Sequence, residues 1–203
     1  MTLYDLKPAF QSLLRPRVTG LAHAGITANQ VTLAAAAGSL AVGAVAWSLW
    51  PARWPFLFIP AWLLIRMALN AIDGMLAREH AQKSRLGAYL NEIGDVVSDA
   101  ALYAPFALAP AFGPFWVGLV VVLAILTEFA GVLGPAIGAS RRYDGPMGKS
   151  DRALVFGALG LWIGFGGPLP AWSAWIMAAI AALLAATTIN RIRAGLKEAG
   201  GPA

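Results

Sequence analysis

Cysteine is absent, which excludes a disulfide framework and every thiolate metal site. Histidine is almost absent. His23 and His80 stand alone near polar ends, with no ligand partners at helical spacing, so an imidazole metal cluster is excluded and both read as surface residues. Charge is the third scarcity. Only 12% of the 203 residues are charged, against about 25% in a soluble domain. Hydrophobic residues reach 59%, above the roughly 45–50% of soluble chains. These proportions exclude an ordinary soluble enzyme and describe an integral membrane protein. No charged start, short apolar core and small-residue cleavage site open the chain, so no cleavable signal peptide is expected. The net charge of +5 then reports basic loops held against anionic lipid and not a nucleic-acid partner.

What is present is a succession of apolar runs. Residues 2–15 place Leu3, Leu6, Phe10, Leu13 and Leu14 at helical spacing, decorated by Lys7 and Arg15. The segment is too short and polar to span, and it reads as an amphipathic surface helix interrupted at Pro8. Residues 31–50 carry no charge over 20 positions, about the length a bilayer core requires. Six spans are expected, at 28–50, 54–78, 87–109, 115–139, 153–166 and 171–190. The fold class is all-α integral membrane, six transmembrane helices with an N-terminal amphipathic surface helix. It forms a single domain: 1–27 cytoplasmic or interfacial, 28–190 the bundle, 191–203 a cytoplasmic tail. The small-xxx-small pairs Gly134/Gly138 and Gly160/Gly164 are expected to pack helices closely.

Basic residues orient the bundle. Lys7, Arg15 and Arg17 precede the first span; Arg78, Lys83 and Arg85 lie at or between the second and third. Arg141, Arg142, Lys149 and Arg152 separate the fourth and fifth, and Arg191, Arg193 and Lys197 follow the sixth. The opposite loops hold only Arg53. Both termini and both basic loops therefore belong on the cytoplasmic side, in keeping with a bacterial inner membrane protein. Trp47, Trp50, Trp54, Trp116, Trp162, Trp172 and Trp175 gather near the outer ends, as an interfacial belt would.

The chain is organised around residues 70–99, NAIDGMLAREHAQKSRLGAYLNEIGDVVSD. A charged residue inside an apolar helix costs roughly 2.5–3.5 kcal/mol on insertion scales, so something must offset these carboxylates. Positions 70, 73, 74 and 77 share one helical face, and 87, 91, 95 and 99 share another. The eight-residue loop 79–86 makes the two helices antiparallel neighbours, so the faces converge near the cytoplasmic surface. Asp73 and Asp95, with the amide oxygens of Asn70 and Asn91, offer hard oxygen ligands suited to Mg2+ or Mn2+ together with substrate phosphates. Gly74 and Gly87 remove side chains where a ligand or facing helix must come close. Polar residues that merely glue helices are the competing reading.

The stretch resembles the signature of the CDP-alcohol phosphotransferase family, Asp-x2-Asp-Gly-x2-Ala-Arg-x8-Gly-x3-Asp-x3-Asp. Asp73, Gly74, Ala77, Arg78, Gly87 and Asp95 match in type and spacing, and ITANQVT at 26–32 is similar to the family's motif opening the first span, with Ala28 where proline is common. The resemblance implies transfer of a substituted phosphate from a CDP-alcohol, typically CDP-diacylglycerol, to a small hydroxyl acceptor, with release of CMP, in phospholipid synthesis. It also implies a homodimer. By resemblance, Asp95 is the catalytic base, Gly74 and Ala77 let the cytidine lie close, and Arg78 supports the nucleotide end. Gly87, Asn29 and Thr32 join that pocket; a cap formed by Thr27 or Asn29 is a second, compatible reading.

Two departures matter. Asn70 and Asn91 replace the family's first and third aspartates. Asparagine coordinates through its carbonyl but supplies no charge, so metal binding weakens or falls from two ions to one. Asp99, one turn beyond Asp95, is a candidate compensating carboxylate, as is Glu92. Lys149, Arg152 and Arg141 are candidates for a phosphate on the acceptor, against ordinary positive-inside charge. Gly148-Lys149-Ser150 resembles the end of a phosphate-binding loop, but Tyr143 stands where that motif needs glycine. Glu128, mid-span, is expected to pair with Arg66 at similar depth. Two other classes stay open: a relative that binds nucleotide or lipid without turnover, and a small transporter, which would place its carboxylates at the bilayer centre.

Overall fold

The structure is a computed structural model that describes residues 3–200, with side chains described from Phe10 onward. The described residues form seven α-helices joined by turns and short 3-10 segments: α1 (Leu3–His23), α2 (Ala28–Ser48), α3 (Phe58–Glu79), α4 (Arg85–Tyr103), α5 (Pro114–Val132), α6 (Lys149–Gly164) and α7 (Ala174–Glu198). The expected surface helix runs on to His23, past Pro8 and Pro16. The side chains of Leu3, Leu6 and Lys7, part of its amphipathic pattern, lie outside the described residues. Leu14 and Val18 are buried and pack with Ala28, Val31, Met75 and Leu76. Arg15 adds a two-toothed contact to Glu79, with Nε and Nη2 donating at 3.0 and 3.1 Å. Being exposed, that pair adds at most about 1 kcal/mol; the apolar seam holds α1 on the end of α3.

Four segments are long and apolar enough to cross a membrane by length and composition: Ala28–Ser48, Trp54–Glu79, Pro114–Val132 and Ala171–Glu198. The other two expected spans differ for physical reasons. α4 carries Arg85, Glu92, Asp95 and Asp99, and α6 has 16 residues, about 24 Å at 1.5 Å per residue. Boundaries moved as well. The third segment leaves α-geometry at Tyr103 and continues as 3-10 turns over Ala104–Leu108 and Pro110–Phe112. α5 stops at Val132, because Pro135 follows in a 3-10 turn that closes on left-handed Gly138. α7 continues eight residues past the expected end, to Glu198.

α2 and α4 run parallel, and glycine sets their spacing. A Cβ on Gly87 would meet Asn29, one on Gly94 would meet Thr32 and Ala36, and one on Gly43 would lie 2.1 Å from the Ala101 carbonyl oxygen. Small residues thus recur every two turns along the seam, which lets two backbones approach in an apolar medium. α6 packs against α3 in the same way: Gly160 lies against the Phe56 carbonyl and Pro60, and Gly164 against Leu57. The expected Gly160/Gly164 packing is present. Gly134 is tight against the Ser140 backbone, but a Cβ on Gly138 would meet nothing within 4 Å, so Gly138 serves the turn. The far end of the bundle is closed by aromatics, with Tyr103 stacked on Phe156 at 3.8 Å and Phe106 edge-on to Phe56.

Gly43→Ala should push α4 away from α2 and lower the thermal midpoint in detergent, at a cost of about 1–3 kcal/mol. Gly118→Ala, where a Cβ meets nothing within 4 Å, should leave it unchanged or raise it. Circular dichroism melts of the two variants check the pair.

Candidate active site

Two helix starts frame a cavity. Thr27 caps α2 in a reciprocal arrangement with Gln30: the Gln30 N–H donates to Thr27 Oγ1 at 3.2 Å and the Thr27 N–H donates to Gln30 Oε1 at 2.9 Å. Ser84 caps α4 by accepting the Gly87 N–H at 2.9 Å. Gln82 ties the loop to α2, since its Oε1 accepts the Ala28 N–H at 2.7 Å. Between these ends and the last turns of α3 opens a cavity of about 430 Å³.

The lining of that cavity gathers most of the residues singled out from sequence. Asn29, Thr32, Gly74, Ala77, Arg78 and Gly87 all line it, as do Asp73 and Asn91. Asn70 and Asp95 lie outside its lining. Asp73 is 5% exposed, and its Oδ2 accepts a hydrogen bond from Thr32 Oγ1 at 2.9 Å, which turns the carboxylate toward α2. A Cβ on Gly74 would lie 3.0 Å from Arg78 Nη2, so the absent side chain leaves room for the guanidinium. A Cβ on Gly87 would lie 2.7 Å from Asn29 Oδ1. Arg78 has no ion-pair partner among the described residues. Neither does Lys83, which also lines the cavity. Two free cations, two helix N-termini and one carboxylate suit a phosphorylated ligand.

Deeper in, the chemistry changes from open to committed. Asp99 is 4% exposed and sits between two guanidiniums: Arg66 Nη1 at 2.5 Å on Oδ1, and Arg152 Nη2 at 2.8 Å and Nε at 3.1 Å on Oδ2. Arg152 also donates to Glu128 Oε1 at 2.8 Å, and Glu128 Oε2 faces Arg191 at 3.4 Å and Arg141 at 3.6 Å. Arg141 pairs with Glu92 as well. Arg66 reaches back toward the cavity, where its Nη2 donates to the Asp95 backbone oxygen at 3.0 Å and to Asp95 Oδ1 at 3.2 Å. Lys149 Nζ lies 2.5 Å from the same Oδ1. Asp95 Oδ2 makes none of these contacts.

This arrangement corrects several expectations. Asp99 is not a spare metal ligand, because both of its oxygens are spent on Arg66 and Arg152. Arg152 is fully buried and committed to Asp99 and Glu128, so it presents nothing to an acceptor phosphate. Arg141 is matched by Glu92 and Glu128, and Lys149 by Asp95. Glu92 is likewise taken by Arg141. Glu128 does not pair with Arg66: the partner of Arg66 is α4, and those of Glu128 are Arg152, Arg191 and Arg141. His23 is exposed and His80 half-buried. In the loop between α5 and α6, Arg142 donates to both Asp144 oxygens at 2.9 and 3.0 Å and holds that carboxyl below the ordinary range. Gln82, Lys83 and Ser84 escaped the sequence reading. A helix-cap signature at Ser84, just before the second motif helix, was the signal available.

The donor set can be tested against a divalent metal. Magnesium uses one or two carboxylates, keeps waters and takes phosphate oxygens. Asp73 with the Asn91 carbonyl, both facing the cavity, fits one such ion. A second ion is not provided for: Asn70 and Asn91 carry no charge, and Asp95 Oδ1 is already bound to two cations.

Residues 25–189 match the pattern of CDP-alcohol phosphatidyltransferase. The chain belongs to the CDP-alcohol phosphatidyltransferase family. A relative in this family, inner membrane protein YnbA of Escherichia coli (strain K12), is 51% identical over 201 residues, covering 97% of both chains. The fold resembles Mycobacterium tuberculosis phosphatidylinositol phosphate synthase (PgsA1) with CDP-DAG bound, at 22% identity and a TM-score of 0.71 over 89% of this chain and 92% of that one. It also resembles the same synthase in complex with manganese and citrate, at 23% identity and a TM-score of 0.71 over 89% of this chain and 87% of that one. With its four apolar helices, this CDP-alcohol phosphatidyltransferase family member is an integral membrane protein.

Removing Asp99 strands two buried guanidiniums. Asp99→Ala should destabilise the fold by about 3–5 kcal/mol and lower the detergent melting temperature sharply. Asp95→Ala should cost much less, because Asp95 is partly exposed and Arg66 keeps Asp99.

Proposed function

We propose that this chain transfers a substituted phosphate, a phosphatidyl group, from a CDP-alcohol such as CDP-diacylglycerol to a small hydroxyl acceptor, releasing CMP. The observation that carries the reading is the cavity between the starts of α2 and α4, where Asp73, Asn91 and Arg78, without an ion-pair partner among the described residues, meet beside Asp95. The nucleotide diphosphate would lie in the cavity, against Gly74 and Ala77, with Arg78 and Lys83 matching its charge. Asp73 and Asn91, with Asn70, would hold Mg2+ or Mn2+, which when bound neutralises pyrophosphate charge. Thr32 keeps Asp73 aimed.

The transfer itself uses Asp95. Its Oδ2 accepts the proton of the acceptor hydroxyl. The alcohol oxygen forms a bond to the β-phosphorus, the bond from that phosphorus to the bridging oxygen breaks, and the electron pair leaves with CMP. The proton stays on Asp95 until solvent takes it. Arg66, anchored by Asp99, keeps the carboxylate in place, and every residue assigned here comes from one chain. A homodimer in a bacterial inner membrane, as the resemblance implies, completes the reading.

The same reading places six helices across the bilayer in one domain. α4 runs parallel to α2 with Gly87, Gly94 and Ala101 abreast of Asn29, Ala36 and Gly43, so it traverses the depth that α2 does. α6 lies along α3 and starts deep, at the level of the ion network, which accounts for its length. The cavity opens beside the basic loop 79–86, on the side that positive-inside orientation assigns to the cytoplasm. That location argues against a transporter site at mid-membrane.

Purified protein with CDP-diacylglycerol, Mg2+ or Mn2+ and a panel of alcohols should release CMP and form a new phospholipid. Asp95→Asn should abolish release while the fold persists. Arg78→Ala should raise KM for CDP-diacylglycerol about 10-fold or more, in line with loss of a charge-assisted contact worth roughly 1.5–3 kcal/mol. A second reading, a family member that binds the CDP-lipid without turnover, is favoured by one observation: Lys149 and Arg66 both sit on Asp95. Binding of CDP-diacylglycerol with no CMP under any acceptor would select it.

A further inference from the structure

We infer that the Lys149 ammonium stands in for a second divalent cation at Asp95, so that the chain binds one divalent ion, at Asp73, and not two. The inference rests on the proposed metal and nucleotide roles of the cavity. Three observations carry it. Lys149 Nζ is 2.5 Å from Asp95 Oδ1, and Arg66 Nη2 is 3.2 Å from the same atom, so Asp95 already has its counter-charge. The residue one turn before Asp95 on the same face is Asn91, and the residue one turn before Asp73 is Asn70, both uncharged. A divalent ion at Asp95 would therefore have to displace two cations already paired with the same carboxylate oxygen.

The lysine is also placed by a built support. The Met147 N–H donates to Thr187 Oγ1 at 2.9 Å, and the Gly148 N–H donates to Asp151 Oδ2 at 2.9 Å. Arg152, three residues on, is fixed by Asp99 and Glu128. Lys149 is the first residue of α6, so its backbone is held on both sides and its ammonium is delivered to Asp95 from a rigid start. One fixed cation thus stands at Asp95, one turn beyond the cavity-lining Asn91.

The test counts metal and does not read turnover. Full-length protein in detergent, saturated with CDP, is titrated with MnCl2, and free Mn2+ is followed by electron paramagnetic resonance. The wild type should bind one Mn2+ per chain. Asn91→Asp should tighten that ion yet still bind one, because Lys149 remains on Asp95. Asn91→Asp with Lys149→Met should bind two, and Asn91→Asp with Lys149→Arg should return to one. Two ions in the wild type or in Asn91→Asp alone, none in the wild type, or one in a folded Asn91→Asp/Lys149→Met chain would each overturn the inference. If the double variant fails to fold, the wild type and Asn91→Asp counts decide. Absence of CMP release sinks the catalytic reading and leaves this count standing.

Discussion

One carboxylate held between two guanidiniums sets the geometry of the rest. Asp99 takes Arg66 from α3 on one oxygen and Arg152 from α6 on the other. Each buried ion would cost several kcal/mol if left alone. Sharing offsets that cost only when all three side chains arrive together, so α3, α4 and α6 are bound to a single arrangement. Glu128 extends the constraint to α5 and, through Arg191, to α7. Because Arg66 Nη2 goes to Asp95, the position of that carboxylate is a consequence of the buried cluster one turn below it.

The two motif helices therefore have two functional depths. Their turns beside the loop 79–86 are lined with glycine, alanine and asparagine and leave a cavity, while the next turns carry paired ions. The transition occurs within about two turns of α4, between Asn91, which lines the cavity, and Asp99, which is buried. Asp95 lies between, with Oδ1 paired to Arg66 and Lys149.

The close approach of α2 and α4 makes the cavity possible. Gly43 against the Ala101 carbonyl holds the far ends together, and Gly87 beside Asn29 holds the near ends. Both helices start at the cavity, so the partial positive charge of their first turns faces it. Gln82, by accepting the Ala28 N–H, locks the connecting loop to that mouth.

By itself the amino-acid order determined the membrane character, the order of the helices and the spacing of Asn70, Asp73, Gly74, Asn91 and Asp95 on their helical faces. Those follow from local periodicity and composition. Span boundaries were less legible, since Pro135 and the 3-10 turns after Tyr103 interrupt apolar runs without changing their hydropathy. Which acidic residue is available and which is spent was decided by tertiary structure alone. Asp95 and Asp99 share one face at the same spacing that joins Asn91 to Asp95, so nothing local distinguishes them. The cations that do, Lys149 and Arg152, come from a helix some fifty residues away in the chain. An ion pair depends on distance in space, which helical periodicity does not encode between helices.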